Sequence, residues 1–468
     1  MNDTHEKVHE AAIDAISKIG SVIKCPEVGD MLEIIIKALS NSTKYLREAL
    51  NLLLETSFVH RIDAPSLSLL VPLLDSGLMM HDNECKQMAA QLMGNICSLT
   101  SNPSDLLPYM SILMPAIKNS LFDSIPEIRA SAAKAMGSLA RGLGIENSQE
   151  MLGWLREHLN SHNTVASERL GAAQGFAELI SAHGVAYFEV NHEEVVIKSK
   201  DEDGDAREAY RSVLLFLATS FDQFVDYLPK LVPVMIEGLA DERDEVRKVS
   251  MRNVKVCIKQ FGKSSPNQLV MPIMRMMFSF DSRVRASSSI LMFQLVKELE
   301  NDIIKAQPKY LTVDIKHQIL SSMFILRHDQ IDAVKSQAGQ IWKSLVDNQL
   351  FILRQVIDTL IHLVFNIIQS PSQELQEMGL SCMRGLVEKF GEKLVNRALD
   401  IFEKLMDTVT SSNDTVGICR VMYNMVSAST YRLLQSISPR MISIMEDNLS
   451  CENDEIREWS TKVFITMF

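Results

Sequence analysis

The chain has 468 residues and a formal net charge of −12, and 46% of its residues are hydrophobic, which excludes a disordered chain. With 19 Gly, 14 Pro and 6% aromatics, it has too little turn chemistry for an all-β fold. An acidic chain is also a poor match for a protein that neutralises phosphate along its whole length, which leaves room only for a local basic patch.

The first residues, Met1-Asn-Asp-Thr-His-Glu-Lys7, are polar and lack the apolar core of a signal peptide. They contain the zinc-protease string His5-Glu-Lys-Val-His9, which on a helix puts two His on one face. The extended form of that motif needs Gly and His where Ala12 and Ala15 stand. Asp3 and Glu6 have capping-box spacing, so a frayed first helix accounts for the string.

From there one pattern recurs: an apolar residue, an acidic turn, then an apolar residue followed by Arg at the start of a helix. Leu121-x-Asp123-x₄-Ile128-Arg129, Leu239-x-Asp241-x₄-Val246-Arg247 and Leu326-x₂-Asp329-x₄-Val334-Lys335 are its clearest copies. The Arg or its stand-in serves as a phase marker: Arg47, Lys86, Arg129, Arg169, Arg207, Arg247, Arg285, Lys335, Gln376, Val416 and Arg457. Steps run from 38 to 43 residues, with a single step of 50 between Arg285 and Lys335. A period near forty with two helical patterns per repeat predicts an all-α, HEAT/armadillo-type α-solenoid of about eleven helix pairs.

The repeat around Asp123 shows the plan. Leu106, Tyr109, Ile112, Leu113, Ile117 and Leu121 form an apolar stripe at helical spacing. Asp123-Ser-Ile-Pro126 is the turn, and the second helix runs from Glu127 to Arg141 before Gly142-Leu-Gly144 stops it. Asp123, Asp241 and Asp329 are expected in such turns, capping the second helix and reaching Arg129, Arg247, Lys335 or a cation of the next repeat. Small residues follow in Leu170-Gly-Ala-Ala-Gln-Gly175, so Gly171 and Gly175 are expected where adjacent second helices approach closely.

Several local features compete for a function. Asn191 through Asp205 superficially resembles a calcium loop, but its glycine is at the wrong place and Ser212 stands where a bidentate Glu is required; a solvated acidic loop is the better reading. His158 and His162 have the i,i+4 spacing of a zinc-binding helix face, but no third ligand is nearby and an exposed loop pair is the better reading. Met271-Pro-Ile-Met-Arg-Met-Met277 reads as core filler. Lys248, Arg252, Lys255 and Lys259 are spaced 4, 3 and 4 residues apart, which places all four on one helix face; an ordinary solvated face accounts for them, and the functional reading is a contact for RNA phosphate or an acidic partner. The seven cysteines are scattered, none at CxxC spacing, as expected of free thiols in a reducing compartment. No P-loop, GxSxG elbow or kinase signature occurs, no uncharged run of 18 apolar residues predicts a membrane span, and no cofactor is expected. The chain opens within the second helix of a repeat and closes on an apolar Met467-Phe468 without a capping repeat, as expected of a segment of a longer array.

Some stretches are more specific than a HEAT pattern. His60-Arg-Ile-Asp-Ala-Pro-Ser-Leu67, Met88-Ala-Ala-Gln-Leu-Met-Gly-Asn95 and Ser98-Leu-Thr100 resemble the general-control translational activators. Ile125 to Leu139, Glu168 to Gly175, Gly238 to Glu242 and Gly385 to Glu392 continue the resemblance in the same order. It implies a cytoplasmic, non-enzymatic scaffold that associates with ribosomes and supports the amino-acid-starvation kinase of initiation factor two alpha, with other proteins on the concave surface. It also implies a division into residues 1–145, similar to the later HEAT part of elongation factor three, central repeats 146–298, an irregular loop 299–314 and C-terminal repeats 315–468. The family's kinase-docking region is expected to lie further downstream. A karyopherin-like adaptor that cradles a protein cargo is the alternative from the fold alone.

Overall fold

The computed structural model describes residues 6–161, 164–299, 309–408 and 412–467. They form helices throughout, and the one extended pairing among them is a bridge between Ile62 and Thr100. The described residues belong to two compact units, Met1–Phe224 and Val225–Phe468.

In the first unit, the Glu6–Gly20 helix and the short Pro26–Asp30 helix precede a run of helix pairs. The pairs are Leu32–Ser40 with Ser42–Glu55, Ala64–Leu78 with Asn83–Leu99, and Met110–Leu121 with the first half of Pro126–Asn160. The second half of Pro126–Asn160 pairs with Ala166–His183, and Val185–Lys198 with Gly204–Ser220. The long Pro126–Asn160 segment is two helices joined at Gly144, whose φ of 81° is left-handed and suits glycine alone among common residues. The expected stop at Gly142-Leu-Gly144 is thus a sharp kink from one repeat straight into the next.

Among the described residues the second unit has six pairs: Leu228–Glu237 with Asp244–Phe261, Pro266–Met276 with Ser282–Glu298, and Val313–Ile325 with Asp332–Leu345. Gln349–Ile368 with Gln373–Phe390, Glu392–Thr408 with Ser412–Ser427, and Tyr431–Met445 with Asp454–Met467 complete it. Some of these helices begin where a short polar side chain caps them: Asp82, Asp203, Asp281, Thr312, Asn348 and Ser372 do so. Each buries one face. In the Met110–Leu121 helix that face is Leu113, Ala116, Ile117 and Leu121, whereas Ile112 points outward and is 36% exposed.

Two expectations change at the edges of helices. Asn191 to Lys198 is helical, so the acidic loop shrinks to the turn before Gly204, because Val195 and Phe188 anchor that helix in the core. The loop expected over 299–314 is also shorter at its end: Thr312 caps a helix that starts at Val313, and Leu311 is buried; residues 300–308 lie outside the described residues. The Gln349–Ile368 helix is long and apolar enough, by length and composition, to cross a membrane. It carries Arg354 and Asp358, and Leu353, Val356, Leu360, Ile361 and Val364 are buried among its neighbours.

Candidate interaction surfaces

The recurring motif builds one local device. Six residues before six of the phase positions, a short polar side chain accepts the backbone N–H two residues on. Asp123 does so from Ile125 (2.9 Å), Asp201 from Asp203 (3.0 Å), Asp241 from Arg243 (2.9 Å) and Asp329 from Ile331 (2.9 Å). Ser279 and Ser370 do the same with their hydroxyls. This is the local turn that Asp and Ser favour outside helices.

The phase Arg then reaches back across that turn and donates from one Nη to two carbonyl oxygens. Arg129 bonds Asp123 O and Ser124 O at 2.7 and 2.9 Å, and Arg247 bonds Asp241 O and Glu242 O at 2.7 Å each. Arg207, Arg285 and Arg457 repeat the pattern, and Gln376 substitutes with a single bond to Ser370 O. Arg129 and Arg247 therefore clamp the backbone of their own turns. The carboxylates of Asp123 and Asp241 instead form the turn. Asp123→Ala is expected to remove the turn bond to the Ile125 N–H and leave the Arg129 clamp, at a cost of about 0.5–1.5 kcal/mol. A denaturant titration that shows a loss several times larger contradicts this division of labour.

Charges also link successive repeats, with burial that differs from pair to pair. Arg47 pairs with Glu84 on the surface, where such a pair contributes little. Arg169 reaches Asp205 at 3.3 Å and is more enclosed. Arg285 and Asp329 are each 1% exposed in their side chains, with Nε to Oδ2 at 2.7 Å and Nη2 to Oδ1 at 3.1 Å. Nη2 of Arg285 also donates to Glu374 in the following repeat (3.0 Å). Lys335, the phase residue of the Asp329 turn, is exposed, so the partner of Asp329 is the cation one repeat earlier. At Val416 the phase position is apolar, and Arg420, one turn later, bonds Gln376 and Glu455.

Gly171 and Gly175 do lie at a close approach, but the expected partner of Gly171 is corrected. A Cβ on Gly171 would stand 1.9 Å from the carbonyl oxygen of Leu121, at the end of a first helix. Gly175 faces Leu121, Leu155 and Met136. Through Met136, Gly175 does face the adjacent second helix, and second helices also meet at Gly94, against Ala135, and at Gly137, against the backbone of Glu178.

Lys248, Arg252, Lys255 and Lys259 are all exposed on the Asp244–Phe261 helix, whose other side buries Val246, Val254, Cys257 and Ile258. Lys248 pairs with Asp244, four residues before it. Of the other candidates, Asp203 caps a helix, and Arg207 clamps the turn beneath the supposed calcium loop. The His158 ring packs at a tilt against Trp154 and Phe122, and its Nδ1 lies 2.9 Å from Trp154 O. His5 and His162 lie outside the described residues. Met274 and Met277 are buried, whereas Met271 borders a cleft with Pro229, Pro233 and Pro272. All seven cysteines are free, and burial pushes the thiols of Cys97, Cys257 and Cys382 up.

The family of "Elongation factor 3/GNC1 HEAT repeat" matches residues 44–150. The "eIF-2-alpha kinase activator GCN1" of Dictyostelium discoideum is 32% identical over 99% of this chain and 18% of its own length. "Protein ILITYHIA" of Arabidopsis thaliana is 32% identical over 84% of this chain and 15% of its own, and the "Stalled ribosome sensor GCN1" of Homo sapiens 28% over 99% and 18%. The chain belongs to the GCN1 family. The chain spans about a fifth of the length of the curated relatives it matches. The residues 44–150 matched as elongation-factor-three-like repeats hold the His60 to Gly144 stretch that resembles the family most specifically.

Sequence reasoning missed the polar networks between repeats. Arg156 forks onto Glu194 and reaches Asn191, and Tyr210 joins them through Glu194. Arg440 similarly holds Asp400 and Glu403 together. These partners are about one repeat apart in sequence, so residue spacing offers a signal only once the repeat period is used as the ruler.

Proposed function

We propose that this chain is a non-enzymatic HEAT-repeat segment of a cytoplasmic translational activator, which associates with ribosomes and supports activation of the kinase that phosphorylates initiation factor two alpha. The observation that carries the reading is the alignment of relatives named as kinase activator or stalled ribosome sensor along 99% of the chain. Within it, we read residues 1–145 as the elongation-factor-three-like part, 146–298 as the central repeats and the helices from Val313 onward as the C-terminal repeats.

The ribosome contact we assign is the stripe Lys248, Arg252, Lys255 and Lys259. Four exposed cations on one helix face can meet phosphates without disturbing the buried face behind them. Phosphate contacts release counterions, so binding should weaken steeply as salt rises. Reversing all four to Glu is expected to reduce co-sedimentation with polysomes by about tenfold or more at low salt, while the helix content and unfolding midpoint stay close to the parent's. If the reversed chain pellets as well as the parent, the stripe is an ordinary solvated face. If neither pellets at any salt, ribosome association fails for this segment.

A further inference from the structure

The faces of four consecutive second helices in the first unit enclose a polar cleft of about 560 Å³ that no feature of the repeat motif explains. Gln91 and Asn95 come from Asn83–Leu99, Lys134, Ser138 and Arg141 from Pro126–Asn160, and Glu178 from Ala166–His183. Gly94 and Gly137 bring these helices together, so the cleft floor is shallow and close to the backbone.

The hydroxyls of Ser98, Thr219 and Ser220 in the cleft are bonded to backbone carbonyls, but four other polar side chains are unspent. Among the described residues, Lys134 and Arg141 form no ion pair or hydrogen bond, although both lie close enough to Glu178 to act on its charge. The side-chain amides of Gln91 and Asn95 are exposed and likewise make no bond within the chain. Glu178 is half-buried; burial raises its carboxyl above the usual range, while Lys134 and Arg141 pull it back.

We propose that this cleft binds an extended, acidic polypeptide segment, whose carboxylates pair with Lys134 and Arg141 and whose main chain is held by the Gln91 and Asn95 amides. The spacing fits. Lys134 and Arg141 are seven residues apart on one helix, about 10 Å along its axis. Neighbouring helices pack about 8–10 Å apart, so the path from Asn95 to Glu178 crosses roughly 20 Å, the reach of about six extended residues. An amide side chain offers a donor and an acceptor, matching a peptide's C=O and N–H. Glu178 can accept a peptide N–H, but it repels a phosphodiester, which has no donor to offer. This chemistry favours polypeptide over nucleic acid.

The site lies in the first unit and does not rest on the basic stripe of the second. The test is fluorescence anisotropy of the full chain with a short labelled peptide of alternating Glu and Ser. Saturable binding is expected, weakened at least about tenfold by Lys134→Glu with Arg141→Glu, since opposed charges become like charges. The doubly reversed chain is expected to prefer a peptide of alternating Lys and Ser. Gln91→Ala with Asn95→Ala is expected to weaken both pairings several-fold, because main-chain contacts do not depend on peptide charge. All four residues are exposed, so unchanged circular dichroism and unfolding midpoints are expected of every variant; alanine at Lys134 and Arg141 provides a second, milder pair. The proposal is overturned if the acidic peptide does not bind, if charge reversal leaves its affinity unchanged, or if a single-stranded RNA of equal charge binds the cleft more tightly than the peptide.

Discussion

Arg285→Ala is expected to destabilise the second unit by about 3–5 kcal/mol, more than loss of any other cation in the repeat motif. Arg285 uses its guanidinium fully: Nη1 clamps Ser279 O and Phe280 O, Nε and Nη2 fork onto Asp329, and Nη2 adds Glu374. Its removal leaves the Asp329 carboxylate, in a residue only 3% exposed, without a cation. Its remaining donor is the N–H of Ile331. Arg285→Lys keeps the charge but loses the planar fork, so an intermediate loss is expected. Arg285→Met combined with Asp329→Leu removes both charges and should lose less than Arg285→Ala alone, because the desolvated carboxylate is gone. Hydrogen exchange is the suitable readout, since repeats unfold in part and a single global midpoint blurs the local effect. Faster exchange should concentrate in the Ser282–Glu298 and Asp332–Leu345 helices. Equal stability of Arg285→Ala and the parent contradicts a structural role for the pair.

How far such features were legible in the sequence depends on whether a side chain acts within its own repeat. The turn residues Asp123, Asp241 and Asp329 stood out because each recurs at a fixed distance from an Arg or Lys. The helix pairs followed from the same period. What the Arg does was not legible: Arg129 and Arg247 bind backbone carbonyls, which every residue possesses, so no partner shows in the sequence. The link from Arg285 to Asp329 crosses 44 positions and the one to Glu374 crosses 89, through the longest step in the repeat. The same holds for the surfaces. Lys248, Arg252, Lys255 and Lys259 lie on one helix and declare themselves by spacing. Gln91, Lys134 and Glu178 lie on three, and only the stacking of repeats makes them neighbours. Glycine was half legible. A small residue signals a close approach, but its partner depends on how the neighbouring pair is seated, and for Gly171 that partner is the end of a first helix.

Gly171→Ala is expected to cost about 3 kcal/mol or more, at the upper end of what overpacking does. The clash is with backbone: the new Cβ would lie 1.9 Å from Leu121 O, with Leu121 C at 3.0 Å and a ring carbon of Phe122 at 3.4 Å. A side chain can turn away from such a contact, but a carbonyl at the end of the Met110–Leu121 helix is held by its own helix and by the Asp123 turn that follows. Relief requires the Ala166–His183 helix to move off the preceding repeat, and Gly175, which touches Leu121 and Leu155, moves with it. Gly339 supplies the control. It too is inside a helix, Asp332–Leu345, but a Cβ there meets nothing within 4 Å. Gly339→Ala should therefore stabilise by about 0.5–1 kcal/mol, the ordinary gain from replacing glycine in a helix. Opposite signs from the same substitution, read as shifts in denaturant midpoint, separate close approach from helix propensity; a gain in stability at Gly171 contradicts the packing assigned to it.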